Sequence, residues 1–465
     1  MIPITLAEVA AATGGRLETV PDPAAEVAGP VVADSRAVEP GGLFVAVPGE
    51  RVDGHDFAAE AVRAGAVAVL AQRPLGVPAV VVEDTVEGLG ALARAALDRL
   101  EPRPVVVGVT GSSGKTSTKD LLAQVLALRG QVVAPPGSYN TEIGVPLTIL
   151  MADGDTRTLV LEMGARGVGH VAYLCRIATP TIGVVLNVGT AHVGEFGSRE
   201  AIARAKAELV EAVPADGTAV LNGDDPLVRQ MAENAAAPVL MFGESVHADI
   251  RADDVRVDAT GRASFTLVTP TGTAPVTLAL VGGHQVSNAL ATAAAAHALG
   301  LAVEPVARAL SAATALSRWR MEVSERADGV TVINDSYNAN PESMRAALDA
   351  LVAIGRGRRT WAVLGEMREL GESSAAEHDA LGRLVARLGI DRLLAVGEPA
   401  RAVHLGAAAE GSWGGESGWM VDGDAALQAL RDQVVTGDVI LVKASRAAGL
   451  DRLAEALVNE EVTAR

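Results

Sequence analysis

The stretch from Val105 to Lys119, VVVGVTGSSGKTSTK, constrains the fold more than any other part of the chain. An apolar, β-branched run broken by one glycine, a turn holding Gly111 and Gly114, and then Lys115-Thr116 read as a strand buried on both faces, a tight turn and a helix start. Such a turn brings backbone N–H groups up to phosphate oxygens, and the helix adds its positive N-terminal end. Gly111, Ser112, Ser113 and Gly114 form the cradle. Lys115 is placed to reach the β- and γ-phosphates, the Thr116 hydroxyl can ligate Mg²⁺, and Ser117 follows in the first helical turn. The usual template asks for glycine at 109, where this chain has Val109, so the working spacing is Gly108-x-x-Gly111-x-x-Gly114-Lys115-Thr116. A glycine-rich βα turn without a ligand is the bland alternative. Lys-Thr directly after the last glycine argues against it, and nucleotide-dependent chemistry is expected.

A chain of 465 residues exceeds one ordinary core, and three α/β domains are expected. Residues 1–102 alternate short apolar runs with helical patterns. Residues 103–317 carry the phosphate loop on a mostly parallel sheet, and residues 318–465 form a Rossmann-like unit with strands near 330–335, 360–365, 392–397 and 438–445. The segment 412–418, SWGGESG, reads as a flexible loop. A net charge of −18 without a basic tract argues against nucleic-acid or anionic-membrane partners, so an anionic ligand must be held by local groups. The one cysteine, Cys175, fits a reducing compartment, and no apolar run approaches the ~20 residues that span a bilayer. With Glu8 in the apolar N-terminal stretch and no basic residues before it, a cytoplasmic protein without membrane insertion is expected.

Several strand ends and turns carry polar side chains. Glu162 closes the run 158–162, and Asn187 and His192 follow the run 181–186, on the side where open parallel sheets bind ligands. Lys206 lies in a helical stretch, where a solvated charge is the ordinary reading. His284 and Asn288 stand at the start of an alanine-rich helix. The loop NDSYNANP, 334–341, holds more polar side chains than a turn requires and reads as a binding loop. Asp34-Ser35-Arg36 reads equally well as a capped turn with an ion pair or as part of a pyrophosphate or uridine site.

Taken together, the phosphate loop, Glu162, NVGTAHVGEFGS, Lys206, the Asn288 helix, Arg320 and DSYNANP resemble the Mur ligases of peptidoglycan synthesis, from about Asp34 to Lys443. SRAVEPGGLFVAVPGERVDGHDF, SYNTEIGVPLTIL, LGEMRELGE and VKASR add to the likeness, whereas the DNPR signature of the diaminopimelate- or lysine-adding members is absent. The resemblance implies an ATP- and Mg²⁺-dependent ligase, acting as a monomer. It would join D-alanyl-D-alanine to UDP-N-acetylmuramoyl-tripeptide through an acyl phosphate. It further implies that Lys115 and the loop backbone hold ATP phosphates, Thr116 and Glu162 serve one Mg²⁺, and His192 serves a second. Lys206 would be carbamylated, with Asn140 beside that metal site. Asn288 would meet adenine, Arg320 the γ-phosphate and Asp335 the ribose. Tyr337 and Asn338 would lie near adenine or the dipeptide, and Ser35 and Arg36 in the uridine site. The family usually has His-Asn before the Asn288 helix, and here it is His284-Gln285, which leaves the part played by 285 open. The competing readings are another amide ligase of the superfamily, such as a folate polyglutamate synthase, and a nucleotide-hydrolysing switch that ligates nothing.

Overall fold

A computed structural model describes residues 1–49, 52–190 and 193–459. Three main sheets follow one another along the chain. The first has five strands in the order Arg16–Glu18, Ala79–Val81, Ala68–Ala71, Leu43–Val45 and Val31–Val32, parallel except at the Arg16 edge. Helix Thr85–Asp98 covers one face of it. Asp84 caps this helix by accepting from the N–H groups of Val86 and Glu87.

The second sheet places the phosphate-loop strand, Val105–Thr110, between Thr156–Glu162 and Ile182–Val185, all parallel. Registry sets Glu162 beside Val109 and Val185 beside Thr110. Both neighbouring strands therefore deliver their next residues to the two sides of the phosphate loop. Side chains of the central strand alternate between two layers. Val106 packs with the first unit's core, while Val107 and Val109 pack with helices Lys115–Leu126 and Gln285–Ala298. The alanines of the second helix are buried almost all round, which lets it lie close against the Lys115 helix. Beyond Val239–Gly243 and Ile250–Val257 the sheet turns antiparallel through Arg262–Thr269 and Gly272–Val281.

The third sheet has six strands. Only its edge pair, Glu322–Glu325 with Thr331–Asn334, is antiparallel, and apolar clusters fill both faces. Thr331–Asn334 and Thr360–Leu364 flank Val439–Lys443, so Asp335 and Lys443 emerge side by side. The expectation of a loop at 412–418 is corrected in part. Glu416–Met420 is a parallel edge strand on Arg392–Val396, because backbone pairing and the indole of Trp419, bonded to the Gly397 carbonyl, outweigh a glycine-rich composition. No helix among the described residues is long and apolar enough to cross a membrane.

Candidate active site between the central and C-terminal sheets

One cavity of about 740 Å³ collects almost every candidate residue. Lys115, Lys206, Arg320, Glu162, Asn140, Asn288, Asp335, Tyr337, Asn338 and the phosphate loop from Gly111 to Ser117 all line it. Ser35 and Arg36 do not. Arg36 is exposed and pairs with Asp34, whose carboxylate also caps the short turn Ser35–Ala37. The first unit contributes Asp84, Val86 and Glu87 to the cavity instead. His192 lies outside the described residues.

The loop backbone is held by what surrounds it. Gly114 has φ +81°, in the left-handed region, and a Cβ there would come within 2.6 Å of Asn288 Oδ1. Asn187 Oδ1 accepts from the N–H groups of Ser112 and Ser113, each at 3.0 Å, so amides suited to phosphate oxygens already point at one acceptor. Lys115 Nζ bonds to the Gly111 carbonyl at 2.7 Å. Burial pushes its pKa down, Glu162 and Glu369 oppose that, and Arg320 adds to it. Burial together with the nearby Lys115 charge brings Lys206 down to about 7. Lys206 is 5% exposed and makes no hydrogen bond or ion pair among the described residues. Three basic side chains thus converge where the global charge is negative, and Lys115 and Arg320 suit a polyphosphate.

Glu162 faces them with both oxygens engaged. Oε2 accepts from Thr116 Oγ1 at 2.9 Å, and Oε1 accepts from Ser138 Oγ at 2.7 Å and Asn140 Nδ2 at 2.8 Å. No group of three His, Cys, Asp or Glu side chains that could hold a metal exists among the described residues. One carboxylate with hydroxyls beside a phosphate cradle is nevertheless the oxygen donor set of Mg²⁺, which takes its remaining ligands from water and substrate phosphates. Ser138 is a residue that sequence reasoning missed: the motif SYNTEIGVPLTIL that it opens pointed to Asn140, two residues on, and not to the serine.

The C-terminal unit reaches over this loop. Arg320 Nη2 donates to Thr116 Oγ1 at 3.0 Å, its guanidinium stacks 4.1 Å from the Tyr337 ring centre, and its Nε is buried without a partner among the described residues. Trp319 and Met321 on either side have φ of +59° and +51°, an unfavourable conformation for bulky residues. Bonds from Trp319 N–H to Glu322 and from Met321 N–H to Asp335 hold them there. Asn340 Nδ2 reaches the Ser112 carbonyl at 3.4 Å, and Glu342 Oε1 accepts from Thr190 N–H at 2.6 Å and from its hydroxyl at 3.0 Å. The two units are therefore closed on each other. At the far end, the fully buried Lys443 bridges Asp335 Oδ2 at 2.6 Å and the Asn338 carbonyl at 2.8 Å, pinning the 334–341 loop. Gln285 accepts from Asn288 Nδ2 at 2.9 Å, which settles its structural part: it orients Asn288, whose Oδ1 accepts from Thr118.

Comparison with known proteins agrees with this three-part build. The Mur ligase middle domain matches residues 109–296, the Mur ligase glutamate ligase domain 319–446, and the Mur ligase family catalytic domain 30–98. The chain belongs to the Mur ligase family. Among its relatives, this Mur ligase is 51% identical over 99% of both chains to the UDP-N-acetylmuramoyl-tripeptide–D-alanyl-D-alanine ligase of Mycobacterium tuberculosis. It is 35% identical to the protein of that name from Escherichia coli, over 98% of this chain and 99% of the other. Its fold is similar to crystal structures of MurF from Acinetobacter baumannii (TM-score 0.88, 32% identity, 98% and 99% coverage) and of MurF ligase from Thermotoga maritima in complex with ADP (TM-score 0.80, 34% identity, 93% and 98% coverage).

Proposed function

We propose that this Mur ligase joins the amine of D-alanyl-D-alanine to the terminal carboxylate of UDP-N-acetylmuramoyl-tripeptide, driven by ATP, in peptidoglycan synthesis. The observation that carries the reading is the meeting of Lys115, Thr116, Glu162 and Arg320 in one cavity, in a chain matched over 99% of its length by a relative of that name. Residues 1–102 are assigned to the UDP end of the substrate, 103–317 to ATP, and 318–465 to closure and the dipeptide. The cavity runs from Glu87 and Tyr173, near the first unit, to the phosphate loop, a path that suits a long substrate with its reacting end inward.

A carboxylate is too poor an electrophile for an amine, so it first takes the γ-phosphoryl group of ATP. The acyl phosphate is then attacked by the dipeptide amine, and phosphate leaves. Negative charge grows on oxygen in both steps. Lys115 and Arg320 are fixed donors aimed at it, and the loop amides that Asn187 now caps complete the cradle. Thr116 and Glu162, with Ser138 beside them, would hold Mg²⁺, which when bound offsets phosphate charge. The closed C-terminal unit keeps water from the acyl phosphate.

Phosphate release measured with ATP and UDP-N-acetylmuramoyl-tripeptide, with and without D-alanyl-D-alanine, tests the reading. Release should depend on the dipeptide, with one peptide bond formed per phosphate. Full-rate release from ATP alone would favour the switch.

Because Arg320 crosses from the other unit to Thr116, Arg320→Ala should lower kcat by about 10²–10³-fold while the dissociation constant for ADP changes about threefold or less. Steady-state rates set against ADP titrations check this. Equal losses in both would contradict engagement on closure.

A further inference from the structure

The geometry points to Glu342 as the residue that receives and positions the ammonium group of the incoming dipeptide. This rests on the ligase reading above. A peptide amine has a pKa of about 8 and arrives largely as a cation, yet the reacting end of the cavity presents the cations Lys115 and Arg320. These suit phosphate and repel an ammonium, so a local anion is needed.

The other carboxylates of the cavity do not fill that need. Both oxygens of Glu162 are bonded, Asp335 is taken by Met321 N–H and Lys443, and Glu369 is already engaged. Asp84, Glu87 and Glu142 act on Tyr173, at the end towards the first unit. Glu342 lines the cavity, and its Oε2 is buried with no partner among the described residues. A buried, unpaired anionic oxygen is costly to keep and awaits a donor.

Its position also fits the chemistry. Oε1 is tied to Thr190, and the neighbouring Gly189 N–H donates to Ser112 Oγ in the phosphate loop at 2.9 Å. The free oxygen is thereby fixed next to the loop that holds the transferred phosphoryl group. Gly189 leaves the room for this, because a Cβ there would lie 2.5 Å from Glu342 Cδ. Glu342 comes from the C-terminal unit, so the ammonium site is completed only on closure.

The test compares two acceptors in one enzyme. Hydroxylamine is neutral near pH 7.5 and traps an acyl phosphate as a hydroxamate, releasing phosphate, without needing an ammonium site. E342Q keeps the size and the acceptor for Thr190 and removes the charge. The expected result is a rise of about tenfold or more in the KM for D-alanyl-D-alanine, and a similar fall in the ratio of dipeptide ligation to hydroxamate formation. KM for ATP and tripeptide should change less than about twofold, and E342D, which keeps the charge, should recover most of the dipeptide affinity. An unchanged dipeptide KM overturns the proposal. So does an equal loss with both acceptors, which would make Glu342 a latch alone, or a raised Mg²⁺ or ATP requirement, which would put Oε2 on the metal. Wild-type enzyme that forms hydroxamate yet does not ligate the dipeptide would instead overturn the ligase reading itself.

Discussion

Lys115→Ala should lower ligation by at least about 10³-fold while leaving the protein folded. Among the described residues the side chain makes one hydrogen bond, to the Gly111 carbonyl, and is not part of any apolar cluster, so little packing is lost. What is lost is a compact cation at the mouth of the phosphate cradle, in a chain of net charge −18 where few groups can replace it. Arg320 and Lys206 remain and are placed for other work. Turnover near the wild-type rate, with an unchanged unfolding transition, would remove the phosphate loop from the mechanism.

The parts of this site that could be read from the sequence are those whose chemistry is local. A strand, a glycine turn and Lys115-Thr116 announce themselves, and Glu162 and Asn187 are visible as polar residues at strand ends. Their convergence is not local. It follows from strand order, which sets the phosphate-loop strand between the other two. Glu342 escaped because an acidic residue in the first turn of helix Pro341–Ile354 is what the helix dipole favours anyway. Lys443 ends an apolar run, and only the fold shows that Asp335 stands beside it. Asp34-Ser35-Arg36 could be read two ways, and the structure realises the capped turn and ion pair while leaving Arg36 open to solvent.

Lys206 carries the second large effect. Helix Arg199–Ala212 buries it between Ala205 and Ala207, with its ammonium near Lys115 and with no anionic partner among the described residues. Burial and Lys115 disfavour the charged form, and a neutral amine is the form that adds CO₂ with loss of a proton. We propose that Lys206 is carbamylated: the carbamate would be an anion, reversing the charge beside the phosphate cradle and offering two oxygens suited to Mg²⁺. Lys206→Ala should therefore lose about 10²–10³-fold in rate and regain part of it with added acetate or formate. Lys206→Arg should be as poor as the alanine variant and show no rescue, since arginine keeps its cation and forms no comparable carbamate. A carbonyl signal from ¹³CO₂ in the wild type, absent from both variants, would report the modification directly. An arginine variant with normal turnover would return Lys206 to the role of a buried cation.

The claim that ATP activates the substrate carboxylate is tested most directly by isotope transfer. Tripeptide substrate carrying ¹⁸O in its terminal carboxylate is turned over with ATP and D-alanyl-D-alanine, and the released phosphate is analysed by mass. An acyl phosphate requires one labelled oxygen to leave with each phosphate while the other stays in the new amide. Unlabelled phosphate alongside ligated product would contradict it.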